Sequence, residues 1–550
     1  MWRESNRSPR TTSLCGSSPH CPGGQQDPGA LAPASRRMAP RRQPASLYQQ
    51  CVNHLAHQLD FLCGVHVHAP DHPQLLAAVA HLDAQLPVPL QAAIGEALLT
   101  STERLQMTPS PSHVSLLLRL RVRRLSTSGS VVQSGVLETA DGSYLEHLSL
   151  FYGGCGERAT RLYQFLHTLG NLTYLNCTDF CNNHMIDIVA RTCDHLHCID
   201  LRGCYDVNDD GVLRLCGLED GLRDIIEVLS KGGRLQPSSR CSRSLKEIKF
   251  SMTKVTEAGV AVILLVLTNI EILRVPDIKM EKVFKFLQTL DHKNVQCNLK
   301  EFHSREILNE FQLTVLTSLC PNLEYIQVSF IGNSEMDLSR LQQLTRLQKL
   351  RRAKFADVNC DALVWFLEQV GGRMTHLFLY TYHTRFAQQK LSITRNHLQC
   401  LAQYCPSLES LCLDGYLLGE DIPYHLAPEN IQYFKTLRTL QVASMKLSED
   451  DLKVFLNKCQ NMRILELVLQ NPHVLYDRLI CQLLDAGVWE NLVKIRVLNS
   501  PITSKVMTRL VTECPHLQEV GCLYTWLVSK EQVSEFKEKI RHQNFDIEIY

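Results

Sequence analysis

From about residue 115 to the C-terminus one arrangement of hydrophobic positions recurs, apolar-x-x-apolar-x-apolar. It begins at Leu117, Leu145, Leu172, Leu196, Leu245, Ile270, Leu299, Leu323, Leu350, Met374, Leu408, Leu437, Met462, Leu492 and Leu517. Well-formed copies are Leu196-His197-Cys198-Ile199-Asp200-Leu201 and Leu408-Glu409-Ser410-Leu411-Cys412-Leu413. Apolar groups two apart share one face of an extended chain, so each copy predicts a short strand with one buried face. Helical patterns fill the intervals, for example Asp451 to Lys458 and Ser504 to Thr512.

Most copies are 24–30 residues apart. That is the period of leucine-rich repeats, in which each unit buries its apolar face against its neighbours. The expected fold is therefore α/β: a leucine-rich-repeat solenoid, or horseshoe, over residues 115–550, with its strands in parallel. The longest interval is the 49 residues from Leu196 to Leu245. It holds a helical stretch, Leu222 to Leu229, and then the Gly-, Ser- and Arg-rich segment 231–243, read as an inserted loop projecting from the array.

Upstream the pattern differs. Leu47, Cys51, Leu55 and Leu59 recur every fourth residue, one stripe on a helix that starts at a Ser46/Gln49 capping box. Residues 64–73 read as a loop. Leu75 to Leu82 reads as a second helix, and Pro89 suits the first turn of a third. Residues 45–110 thus form a small helical module. Residues 1–44, rich in Ser, Pro, Gly and Arg, lack the aliphatics to offset ordering entropy and are expected to be a disordered basic tail. Met38 is a possible alternative start.

Composition narrows the function classes. The 57 basic and 56 acidic residues leave a net charge of +1, which argues against a nucleic-acid-coating protein. The longest apolar run, Val260 to Leu267, is too short to span a bilayer, and no secretory leader is evident at Met1-Trp2-Arg3-Glu4. The expectation is a cytoplasmic or nuclear protein with no membrane and no nucleic-acid partner. Its 22 cysteines are then free thiols. Cys193, Cys320, Cys405, Cys459 and Cys514 each just precede a strand, which points to one packing role at a helix-to-strand corner.

No catalytic arrangement emerges. His66, His68 and His72 lie in a Pro-containing stretch near Cys63, without a cysteine pair at zinc-ligand spacing, and read as a surface loop. Cys177 and Cys181 similarly lack a second ligand pair. There is no phosphate-binding glycine loop, nucleophile elbow or His-Glu-x-x-His. The expectation is a non-enzyme with no cofactor and no metal.

The segment Leu47-Tyr48-Gln49-Gln50-Cys51-Val52-Asn53-His54-Leu55 resembles a BC box, the helix by which many ubiquitin-ligase receptors dock elongin C. Leu86-Pro87-Val88-Pro89 resembles the cullin box that follows it. With the cysteine-containing repeats, the layout is similar to the Zyg-eleven and Zer-one group of substrate receptors. That resemblance implies a substrate-recognition subunit in the ubiquitin conjugation pathway, with elongin C and elongin B, a cullin and a RING protein as partners and a protein substrate. It assigns elongin binding to Leu47, Cys51 and Leu55, and cullin binding to Leu86, Pro87, Val88 and Pro89. Leu-Pro-apolar-Pro fits the cullin 5 box, whereas the layout favours cullin 2. The armadillo-like domain of that group has no counterpart here, so its substrate preference is not carried over.

Two other readings stay open. Leu86-Pro87 followed by Leu90, Ile94 and Leu98 would also open an F-box that docks a Skp-family adaptor. Against it, no Trp lies between Trp2 and Trp365. Alternatively the first helices merely cap a repeat scaffold with no ligase role. In either case strand alternation sends the residues between the buried positions to the concave face. There Arg305, Tyr325, Arg352, Lys354, His376, Phe378 and Tyr380, flanked by Arg274 and His303, are the substrate-binding candidates, suited to a peptide with acidic groups and an apolar anchor. Glu301 lies within that patch.

Overall fold

The computed structural model describes residues 46–65, 73–104, 108–138, 140–151, 160–290, 295–381, 391–418, 434–445, 452, 456, 459–469, 475, 477–543 and 545–549. His66, His68 and His72 lie outside these residues, as does most of the helix expected over Asp451–Lys458.

Four helices open the fold: α1 (Leu47–Val65), α2 (Pro73–Gln85), α3 (Val88–Arg104) and α4 (Pro111–Arg119). Ser110 caps α4, its hydroxyl accepting from the His113 backbone while Pro111 occupies the first turn. Val52, Ala56, Leu59 and Cys63 form the inward stripe of α1, which packs on α3.

Strands then alternate with helices. They are β1 (Arg124–Ser128), β2 (His147–Phe151), β3 (Tyr174–Asn176), β4 (Cys198–Asp200), β5 (Glu247–Lys249) and β6 (Ile272–Arg274). Next come β7 (Glu301–Ile307), β8 (Tyr325–Ser329), β9 (Arg352–Ala356) and β10 (His376–Tyr380). A side pair, β11 (Ser392–Ile393) and β13 (Leu417–Leu418), brackets β12 (Ser410–Asp414). The series ends with β14 (Thr439–Met445), β15 (Ile464–Leu469), β16 (Lys494–Leu498), β17 (Glu519–Gly521) and β18 (Glu548–Ile549).

All but the side pair join one sixteen-stranded sheet whose strands lie in sequence order and pair in parallel. Buried and half-buried residues alternate along them, as in β10, where Leu377 and Leu379 are buried and His376, Phe378 and Tyr380 are not. The buried set stacks strand on strand: Leu125, Leu148, Leu175, Ile199 and Ile248 occupy one register position. A sheet of sequential parallel strands, each returning through a helix or loop at the observed spacing, is a leucine-rich-repeat solenoid of the α/β class. Its core is continuous from Val52 in α1 to Ile547 near β18, so the opening helices and the repeats share one interior.

Two expectations need correction. Leu117 does not open a strand: it lies in α4, and Val122 holds the equivalent position, because Leu125 pairs with Leu148. The helical periodicity of Val114, Leu117 and Leu118 competes with the strand pattern there and prevails. Nor does 231–243 project along its length. Residues 238–243 fold back onto the array: Ser238 N–H donates to Cys216 O, Arg240 N–H to Ala190 O and Ser239 Oγ to Leu215 O, and Cys241 is fully buried. Backbone groups that close to a core must be paired, and these are.

The pre-strand cysteines share one cause. Cys193, Cys320, Cys405, Cys459 and Cys514 are buried, and Cys193 Sγ donates to Leu169 O at 3.3 Å in the preceding repeat. Burial pushes the Cys193, Cys405, Cys459 and Cys514 thiols up to about 12, far from the reactive thiolate.

Candidate functional site

Two surfaces carry the candidate residues. The first is the outward side of α1. Leu47, Cys51 and Leu55 are exposed there, Leu47 76% and opposite the stripe that packs on α3, with Cys51 and Leu55 stepping round toward the edge of that stripe. His113 holds the helix down, its Nε2 3.0 Å from Asp60 Oδ1 and its Nδ1 2.6 Å from Ser110 Oγ. Leu86-Pro87 forms the turn into α3. Gln91 fastens it by donating from Nε2 to Leu86 O at 2.9 Å. Leu86 is half-buried, while Pro87, Val88 and Pro89 are exposed on the first turn of the helix.

The second surface is the helix-free face of the sheet. Register sets its rows. Glu301, Tyr325, Arg352 and His376 lie side by side on β7 to β10, and His303, Gln327, Lys354 and Phe378 form the next row. Arg352 reaches over Tyr325, 5.2 Å from the ring centroid, and donates from Nη2 to Glu301 Oε1 at 2.7 Å. Lys354 Nζ sits 5.0 Å over the Tyr380 ring, and His376 and Phe378 are 6.4 Å apart. The sheet therefore brings Tyr325, Arg352, Lys354, His376, Phe378 and Tyr380 together as one aromatic and cationic strip.

Electrostatics alters what that strip offers. The nearby His303 imidazole and the Arg352 guanidinium hold Glu301 down at about 2, so it is an anion under all ordinary conditions. Arg352 is consequently paired with a carboxylate that stays charged. Burial, then the Glu301 charge, pushes the Tyr325 phenol up to about 12, and burial, then the Arg352 charge, lowers His376.

Arg305 does not join the strip. The register of β7 shifts between His303 and Ile307, and this irregularity turns Arg305 toward the preceding repeats. There a groove of about 350 Å³ is lined by Arg202, Lys249, Arg274, Arg305 and Glu306, with Val275, Pro276, Ile278 and Met280 as an apolar wall. Lys249 obeys the same alternation rule that singled out Arg274. Arg202 follows β4, beyond the reach of any strand pattern, and only the fold places it. Among the described residues no group of three or more His, Cys, Asp or Glu is arranged to hold a metal, and no helix is long and apolar enough to cross a membrane.

No known protein family matches the chain, and no curated protein is recognisably similar to it. Among solved structures, a leucine-rich-repeat protein of Leptospira interrogans is 13% identical, with 79% of this chain and 91% of that one covered at a TM-score of 0.34. The complex of Rad7 and Elc1 in yeast is 14% identical, covering 90% and 91% at 0.31. The TLR13–ssRNA13 complex is also 14% identical, covering 73% and 57% at 0.33. The leucine-rich-repeat architecture is carried by the chain's own sixteen parallel strands and their repeat spacing.

Proposed function

We propose that this chain is the substrate-recognition subunit of a cullin–RING ubiquitin ligase in the cytosol or nucleus, docking elongin C through α1 and holding a protein substrate on the strand face. A leucine-rich-repeat array is suited to protein binding, since it presents one extended row of side chains per register position. The finer reading rests on one observation, the double-sided apolar character of α1. Its inner stripe completes the core. A helix that only capped the array would carry a polar outer face. Instead Leu47 is exposed beside Tyr48 at 58%, Cys51 and Leu55, and Phe61 is 65% exposed further along. Leu47, Cys51 and Leu55 are the groups a BC box offers, and burying one such leucine in a partner pocket is worth about 1.5–3 kcal/mol. In this reading Pro87, Val88 and Pro89, exposed at the start of α3, make the contact to cullin 2 or cullin 5.

Copurification from cells tests the reading. Recovery of elongins B and C with the tagged chain is the expected result. Recovery of a Skp-family adaptor instead would assign Leu86, Leu90, Ile94 and Leu98 to an F-box, and recovery of neither would leave a repeat scaffold.

A further inference from the structure

The groove between β4 and β8 has a chemistry that the aromatic strip lacks. Four cationic side chains from successive repeats line it: Arg202, Lys249, Arg274 and Arg305. Their carboxylate partners are unequally matched. Asp200 accepts both from Arg202 Nε, at 2.9 Å, and from its Nη2, at 2.8 Å, and Lys249 Nζ lies 3.2 Å from Glu247. Arg274 has only long contacts, 3.6 Å to Glu247 and 3.5 Å to Glu301, and Glu301 is already engaged by Arg352 at 2.7 Å. Arg305 is exposed, with no ion pair or side-chain hydrogen bond among the described residues. One acid, Glu306, also lines the groove, and its Oε2 accepts from the Glu281 backbone N–H in the first turn of the 280–288 helix, at 3.2 Å, so its carboxylate is engaged there rather than by Arg274 or Arg305. Two guanidinium forks thus face the groove with donors to spare, beside an apolar wall.

We infer that this groove binds a phosphorylated serine or threonine side chain of an extended peptide, with an adjacent apolar residue against Pro276 and Met280. The inference rests on the strand face being the substrate surface, and it names the substrate class. A phosphoryl dianion supplies the two charges and three acceptor oxygens that Arg274 and Arg305 lack, and two of those oxygens can take the paired N–H donors of a guanidinium fork. A carboxylate would bring half the charge to cations already facing Asp200, Glu247 and Glu301. A nucleic acid fits poorly: its phosphates recur along the strand, whereas this face places Glu247, Glu301, Glu466 and Glu519 along the path. The volume, about 350 Å³, suits one modified side chain and its neighbours rather than a polyanion.

The test uses the full-length chain and short degenerate peptides with a fixed central phosphoserine or phosphothreonine, against the same peptides unphosphorylated. The wild type should bind the phosphorylated pool roughly tenfold or more tightly, the equivalent of one charge-assisted hydrogen bond. The double variant Arg274→Ala/Arg305→Ala should lose that preference, and Arg496→Ala, on the same face outside the groove, should keep it. If the double variant unfolds, Arg305→Ala alone carries the comparison, since its guanidinium supports nothing described. Equal binding of the two pools would overturn the inference, as would an intact preference in the variants or displacement of phosphopeptide by a lower concentration of oligouridylate. Elongin recovery, measured in parallel, separates the two ideas. Retained elongin without a phosphate preference would sink the groove alone, and a phosphate preference without elongin would sink the elongin-docking reading alone.

Discussion

Arg352 spans two strands to reach Glu301, donating from Nη2 to Oε1 at 2.7 Å above the Tyr325 ring that separates them. The pair pins three neighbouring repeats together at the centre of the strand face. It also explains why the patch is less basic than its residue list suggests, since one of its arginines is committed internally.

That pair makes stability acid-sensitive in a defined window. Held by His303 and Arg352, the Glu301 carboxyl is down at about 2 when folded, against 4.5 for an ordinary glutamate. A depressed carboxyl contributes stability fully present above about pH 4.5 and lost as pH falls through 2. Glu301→Gln should therefore flatten the acid limb of the stability profile and cost on the order of 1–3 kcal/mol near neutrality. Chemical denaturation of both proteins across pH 2–7 is the measurement; parallel profiles would show that the contact is worth nothing.

On α1, Leu47→Ala combined with Cys51→Phe should abolish elongin recovery while changing stability by less than about 0.5 kcal/mol, because both side chains are exposed. Cys51 offers a second readout. It is exposed, whereas Cys193, Cys405, Cys459 and Cys514 are buried with thiols up near 12. Iodoacetamide should alkylate Cys51 well before those four in the free protein, and added elongin B–C should protect it. Peptide mapping by mass spectrometry decides the matter, and unprotected Cys51 would return α1 to a capping role.

For the aromatic strip, Arg352→Glu is a poor probe because it would set a second carboxylate against Glu301. Lys354→Glu with Tyr380→Ala removes the cation and the ring beneath it without breaking that pair. The set of proteins recovered with the tagged chain should change, with elongin recovery unaltered. An unchanged set would move substrate binding off the strip.

Within the core, Phe355 sits between Phe330, 5.2 Å away, and Phe366, 5.8 Å away, both edge-on, and is fully buried. Phe355→Ala should cost about 3–5 kcal/mol by urea denaturation. Asp337, also fully buried, accepts from the backbone N–H groups of Ile331, Gly332 and Asn359, bracing the turn before one helix against the start of the next repeat. Asp337→Ala leaves those donors without an acceptor and should cost about 2–4 kcal/mol, with Asp337→Asn milder because one oxygen remains.

The repeat period, the strands and the buried side of each were legible in the chain because strand alternation is local: Leu377 and Leu379 face the core wherever the strand is placed. On α1 the every-fourth spacing put Leu59 in one stripe with Leu47, Cys51 and Leu55, whereas packing on α3 buries Leu59 with Val52, Ala56 and Cys63 and leaves the other three exposed. The start of the array was not legible either, because Leu117 satisfies both a helix and a strand pattern, and only pairing of Leu125 with Leu148 assigns it to α4. The segment 231–243 misled for a similar reason. Its Gly, Ser and Arg content describes a loop, but the partners that tie it down, Ala190, Leu215 and Cys216, lie in other parts of the array. Which charges of the strand face neutralise one another was decided in three dimensions. Glu301 and Arg352 are 51 residues apart, and whether they meet depends on the register of β7 on β8 and of β8 on β9. The aligned repeat starts Leu299, Leu323 and Leu350 already put Glu301, Tyr325 and Arg352 in one row, but whether the guanidinium crosses the intervening ring to the carboxylate depends on side-chain packing in the assembled array, which no window of sequence contains.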